Sequence, residues 1–159
     1  MKSIAYRGGL VTFRIPRHWA EEYDEDGGGT FFEDGPDSGT LRLNVLSFTG
    51  PVGSPSKSPL AVLQITSRAA SGIACELPNG YALLTGVRSA TDGSTPTQIY
   101  YWHIAQHLPP SHYRIALFTY TVEAGRELEP SIVRQLEILN AAIPAAVLAP
   151  MLGVVADSP

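Results

Sequence analysis

With 159 residues, 44% hydrophobic and 16% charged, the chain has the size of one domain with room for a real core. A net charge of −4 argues against the basic face that nucleic-acid binding needs, and the single cysteine, Cys75, excludes an internal disulfide and a cysteine-based zinc site. The longest apolar run, at 145–156, is shorter than the roughly 20 residues that cross a bilayer. The opening MKSIAYRGG holds no apolar stretch of signal-peptide length, so a cytoplasmic protein without a membrane span is expected.

Val11, Phe13 and Ile15 alternate with Thr12 and Arg14, the pattern of a half-buried strand. Pro16 ends it, and Trp19 is expected to fold back onto its apolar side. Residues 21–37 are acidic and glycine-rich. They hold Glu21, Glu22, Asp24, Glu25, Asp26, Glu33, Asp34 and Asp37, more than half of the 15 acidic residues. Gly27-Gly28-Gly29 suits a turn, and Thr30-Phe31-Phe32 a short strand. In the next strand Leu41, Leu43 and Val45 face in, Arg42 and Asn44 face out, and Leu46 and Phe48 close the far end.

Residues 49–57 read as a loop. Ser58-Pro59 then opens a helix, with Ser58 as its cap and Pro59 in its first position. Val62, Ile65, Ala69 and Ile73 would form its apolar stripe, with Gly72 as the stop. A strand is expected at 81–89, and Asp92-Gly93 marks a turn. Two long runs follow, TQIYYWHIAQHL (97–108) and HYRIALFTYTV (112–122), joined through Pro109-Pro110-Ser111. They read as the central hairpin of a sheet. Tyr100, Trp102 and Ile104 share one face; Ile99, Tyr101, His103, Ala105 and His107 share the other. Apolar residues on both faces imply a sheet covered at least partly on both sides.

Pro130 begins a second helix, with Glu129 at its positive end. Ile132, Val133, Leu136, Leu139 and Ile143 form its stripe, and Pro144 stops it. The expected organisation is one domain over 1–144 and an apolar tail over 145–159. The order β-β-β-α-β-β-β-α, with tight turns between consecutive strands, predicts the α+β class: an antiparallel sheet of about six strands with helices packed on it.

This order resembles the PsbP-like (Mog/DcrB-like) fold family on three local features. They are F-x-I-P-x-x-W at Phe13 to Trp19, the acidic turn followed by the strand Thr40 to Phe48, and the late hairpin with Tyr113 to Thr121 leading into a terminal helix. The resemblance covers residues 10–144 and implies an α/β/α sandwich. The family includes the PsbP subunit of photosystem II, Ran-binding Mog proteins, bacterial DcrB lipoproteins and the Eag chaperones of type VI secretion. It therefore implies a binding or accessory role without catalytic residues. The chain departs from PsbP and DcrB in showing no export signal, which leaves the cytosolic adaptors as the nearer comparison.

Candidate chemistry is sparse. His103 and His107 on a strand lie about 13 Å apart, beyond joint ligation of a metal. His112 could approach His107 across the turn. A small hydrolase or metal-dependent enzyme using His107 and His112 is therefore the rival reading, and it predicts a pocket holding both with a carboxylate. Asp24-Glu25-Asp26-Gly27 lacks the spaced ligands and flanking helices of a calcium loop and reads as a solvated hairpin tip, open to a basic partner. Cys75 reads as buried, and Ser58 and Ser131 as helix-capping residues. No motif implies a cofactor, a metal or a catalytic residue.

The leading expectation is a non-enzymatic protein-binding or adaptor/chaperone-like domain. Its candidate binding residues are Trp19, Tyr101, His103, Met151 and Leu152. A third reading is a structural subunit of a homo-oligomer, for instance a homodimer, that buries the tail from Met151 to Val155 against a second copy.

Overall fold

A computed structural model describes residues 1–66 and 71–150, and it is an α+β structure built on two antiparallel sheets. The smaller sheet begins with β1 (Lys2–Tyr6) and β2 (Val11–Ile15). β10 (Val147–Leu148) pairs with the other edge of β2. The connection from β1 to β2 uses three successive positive φ values, Arg7 at 45°, Gly8 at 68° and Gly9 at 97°. Glycine suits two of these positions because it has no Cβ to clash.

The larger sheet contains β3 (Ala20–Tyr23), β4 (Gly29–Phe32), β5 (Thr40–Thr49), β6 (Gly72–Glu76), β7 (Ala82–Asp92), β8 (Thr95–Leu108) and β9 (His112–Glu123). Its spatial order is β3-β4-β5-β9-β8-β7-β6. The predicted hairpin is its centre: β8 and β9 pair from Thr97↔Glu123 to Leu108↔His112, and the Pro109–Pro110 bond between them is cis.

One face of the large sheet packs on the small sheet and on α2 (Pro130–Ala142). This is the main core. Phe13 meets Phe31 and Phe118 edge-on at centroid distances of 5.2 and 5.0 Å. Trp19, Leu41, Leu43, Trp102, Ile104, Ile132, Leu139 and Ile143 fill the rest. α2 starts as expected, with Glu129 extended ahead of Pro130. The opposite face carries a smaller core under α1 (Pro59–Thr66), built from Val62, Leu63, Ala82, Leu84, Tyr101, Ala105, Tyr113 and Ile115.

Two expectations need correction. The sheet of about six strands becomes ten strands in two sheets among the described residues, because β1, β3, β6 and β10 are too short or too polar to announce themselves by alternation. The helix stripe through Val62, Ile65 and Ile73 is broken: α1 is described over Pro59–Thr66, and Ile73 lies on β6 with 78% of its surface exposed. Ala69, the stripe's fourth member, lies outside the described residues. Ile65 is itself 46% exposed, since α1 sits on the sheet through Val62 and Leu63.

The start of the predicted tail is built into the domain. Ala146 and Leu148 are each 1% exposed, and the Ala149 N–H donates to the Leu10 carbonyl at 3.0 Å. Arg114 is 1% exposed and donates to the Ala149 carbonyl at 2.5 Å and to Gln106 Oε1 at 3.4 Å. Desolvation by burial pulls its pKa below the ordinary arginine value, partly offset by Tyr81.

Candidate binding groove

The groove begins with how α1 is placed. Ser58 caps it as predicted, its Oγ accepting the Ala61 N–H at 3.1 Å. The helix's described residues, Pro59–Thr66, lie over β6, β7 and β8. β5 therefore stays uncovered on this face. Leu46 is 52% and Phe48 37% exposed there, beside Arg42 and Asn44.

The loop after β5 is tied to the β8–β9 turn. Gly50 N–H donates to the Ser111 carbonyl at 2.7 Å, and Ser56 Oγ to the Pro110 carbonyl at 2.9 Å. The Tyr113 hydroxyl accepts the Lys57 N–H at 2.8 Å and donates to the Lys57 carbonyl at 2.9 Å. Between this loop, α1 and the end of β5 lies a cavity of about 270 Å³, lined chiefly by Phe48, Pro51, Lys57, Val62, Ile65 and Tyr113. That is at the small end of ligand-site volumes, and its surface is mostly apolar, with Ser54, Ser56, Lys57, Thr66 and Ser111 among its lining residues.

An aromatic row runs under the groove across three strands. Phe48 stacks on Tyr113 with centroids 5.5 Å apart, and His107 lies 5.1 Å from Tyr113 on its other side. His107 Nε2 is buried there without a hydrogen-bond partner. Further along the same face His103 lies 5.2 Å from the Tyr101 ring. Burial, and secondarily the positive charge of Arg88, hold the His103 pKa below its ordinary 6.5. The unfolded imidazole thus takes up a proton before the folded one does. Stability is full above about 6.5 and falls as pH drops through that value towards the lower folded pKa. Urea midpoints at neutral and mildly acidic pH are expected to show a smaller acid loss in His103→Gln than in the parent; an unchanged acid loss would remove His103 as its source.

The candidate residues separate on this frame. Trp19 is 2% exposed inside the main core, and Tyr101 is 3% exposed beneath α1, its hydroxyl donating to the Ser71 carbonyl at 2.6 Å. Neither presents a surface to a partner, because α1 and the small sheet cover the two faces they stand on. His103 is half-buried on the same face as the groove. Met151 and Leu152 lie outside the described residues, as does the stretch from Met151 to Val155.

His107 pairs with Tyr113 and His112 with Leu108, so neighbouring positions in the register send the two histidines to opposite faces of the sheet. The two do not form a joint site. Among the described residues no group of three histidine, cysteine, aspartate or glutamate side chains is placed to hold a metal. Cys75, expected to be buried, is exposed on β6.

The acidic tip between β3 and β4 is closed by backbone bonds. Gly27 N–H reaches the Asp24 carbonyl and Asp24 N–H the Gly28 carbonyl, each at 3.0 Å. Tyr6 at the end of β1 and Arg7 just after it hold the tip through the Gly27 and Asp26 carbonyls. The carboxylates of Asp24, Glu25 and Asp26 belong to exposed residues.

Leu46, Phe48 and Ile65 were missed as site residues. Their signal was present in part: along β5 the inward residues are odd-numbered as far as Val45, and Leu46 and Phe48 are apolar in the outward phase.

No family model matches the chain, and no curated protein matches it. Its fold is similar to that of a Bacteroides thetaiotaomicron VPI-5482 protein, with a TM-score of 0.61 and 15% identity over 93% of this chain. The match takes in 48% of that protein, so the chain spans about half of its length. The fold is also similar to LpqN, involved in cell envelope biogenesis of Mycobacterium tuberculosis, with a TM-score of 0.62 and 12% identity over 88% of this chain and 83% of LpqN. At such identities the likeness is one of fold.

Proposed function

We propose that the chain is a non-enzymatic binding domain, a cytosolic adaptor of the PsbP-like kind, that seats a protein partner on the sheet face beside α1. One observation carries this reading. β5 leaves Leu46 and Phe48 exposed next to an apolar groove of about 270 Å³, on a face whose other half α1 already covers. Apolar surface gathered in one place and rimmed by polar residues is characteristic of interaction sites. Arg42 and Asn44 supply such a rim. The enzymatic alternative loses its main residues, since His107 and His112 stand on opposite faces.

The test is capture of partners from the source cell by the parent, by Leu46→Glu/Phe48→Glu, and by Glu137→Lys on the exposed side of α2 as control. The control is expected to melt with the parent, because Glu137 is exposed, and the double variant only slightly lower, because Phe48 gives up its stacking on Tyr113, worth about 0.5–1.5 kcal/mol, while all three stay folded. A stoichiometric partner is expected to be lost at least about tenfold in the double variant and kept by the control, the size of effect seen when central interface anchors are removed. Equal recovery by all three would sink the reading.

A further inference from the structure

The two edges of the large sheet are finished differently. At one edge β3 reads Ala-Glu-Glu-Tyr, and Lys2 of β1 pairs with Glu21 at 2.7 Å. Charges of this kind are how proteins discourage edge-to-edge pairing. The other edge, β6, reads Gly-Ile-Ala-Cys-Glu and pairs with β7 alone among the described strands. It has no lysine and no proline, and its single charge, Glu76, stands at its end. Ile73 is 78% exposed and Cys75 exposed, both on the same side of the strand. Val87 of the neighbouring strand adds a side chain 47% exposed on that side.

We propose that β6 pairs antiparallel with β6 of a second copy about a twofold axis through Ala74, joining the two large sheets into one. A second copy fits because the strand is complementary to itself in this register. Ala74 meets Ala74, Ile73 meets Cys75, and Gly72 meets Glu76, so no like charges face each other. A twofold contact needs such self-complementarity, since one patch serves both partners. Charge complementarity favours the same arrangement. The face that carries Glu76 also carries Arg88 of β7, which is exposed. In the dimer Glu76 of one copy and Arg88 of the other lie two strands across and two residues along. That puts their backbones about 12 Å apart, within the joint reach of the two side chains. The backbone edge supplies directional hydrogen bonds, and Ile73, Cys75 and Val87 supply apolar area. The strand is short, so the dimer is a weak one that depends on concentration.

Cys75 is the chain's one cysteine, which makes the test clean. In this register the two Cys75 residues lie diagonally across the pairing, about 7–8 Å apart. Light scattering over roughly 5–500 µM, the range of a weak interface, is expected to show a monomer becoming a dimer. A short bismaleimide is expected to trap a covalent dimer through Cys75. Ile73→Lys, a change at an exposed position, is expected to abolish both results and leave melting unchanged. A chain ending at Pro150 is expected to dimerise like the full one, which separates this contact from any made by residues 151–159. A monomer throughout the range would overturn the proposal, as would a dimer that survives Ile73→Lys or gives no Cys75 crosslink.

Discussion

Replacing Trp19 with alanine is expected to cost about 3–5 kcal/mol of stability, the usual range for removing a large aromatic from a filled core. Trp19 is 2% exposed and belongs to the same apolar cluster as Val11, Phe13 and Ile15. Its backbone is held on both sides: the N–H reaches the Pro16 carbonyl at 3.2 Å, and Lys2 Nζ donates to the Trp19 carbonyl at 2.7 Å. The turn after Pro16 therefore cannot readily collapse into the space left behind, and most of the cavity cost remains. Domains of this size have about 5–15 kcal/mol in total, so the variant should unfold at much lower urea than the parent. A loss under about 1 kcal/mol would mean that Trp19 is not the keystone of the core, because buried aromatic truncations cost several times more. The same experiment bears on its expected role as a binding residue, for a binding residue on the surface would leave the urea midpoint where it was.

Ending the chain at Pro144 is expected to be more damaging still, whereas ending it at Pro150 should keep the core intact. The six residues between include Ala146 and Leu148, both 1% exposed, and the strand that closes the free edge of β2. Burial of a leucine side chain alone contributes about 1.5–3 kcal/mol. The effect on Arg114 adds to this. With residues 145–150 gone, the guanidinium loses the Ala149 carbonyl while its side chain stays on the core-facing side of β9. The lost acceptor is a neutral carbonyl and Arg114 keeps Gln106, so the cost is that of one hydrogen bond to a charged group, about 1.5–3 kcal/mol. Tyr81 also loses the Leu148 carbonyl that its hydroxyl reaches at 3.3 Å. The chain ending at Pro144 is expected to be largely unfolded near 37 °C, with the chain ending at Pro150 cooperative by calorimetry. Equal melting of the two would show that β10 contributes nothing.

These two cases mark where sequence reading worked and where it stopped. Trp19 was placed on the Val11/Phe13/Ile15 face from order alone, because a proline stop with an aromatic three residues on leaves few ways for the chain to turn. The tail was different. AAVLAP has no periodicity, and only its pairing with β2 shows that its second and fourth residues face inward. Arg114 sits at an alternating position within a hydrophobic run, and nothing in that run distinguishes a buried arginine from an exposed one. β6 was read as the end of a helix because Ile73 follows Ile65 at a helical interval. A five-residue segment cannot announce its period against such a coincidence.

The candidate site was less legible than the fold for the same kind of reason. Leu46 and Phe48 are apolar in the outward phase of β5, which the sequence displays. Whether they are exposed depends on how far one short helix reaches across a sheet of seven strands. Tyr101 and His103 share a face, as alternation required, and the helix happens to cover the first and half-cover the second.

The sequence by itself determined the α+β class, the central hairpin with its two faces, the starts of both helices, and the absence of a catalytic or cofactor motif. These are local matters of period, capping and turn chemistry, which neighbours along the chain decide. Only the tertiary structure decided that His107 and His112 point apart, that Trp19 and Tyr101 are core, that β5 is left bare beside the groove, and that β6 ends the sheet with Cys75 exposed. Each of these depends on register or coverage between segments distant in the chain, where one residue of slip or one turn of helix reverses which side chains meet water.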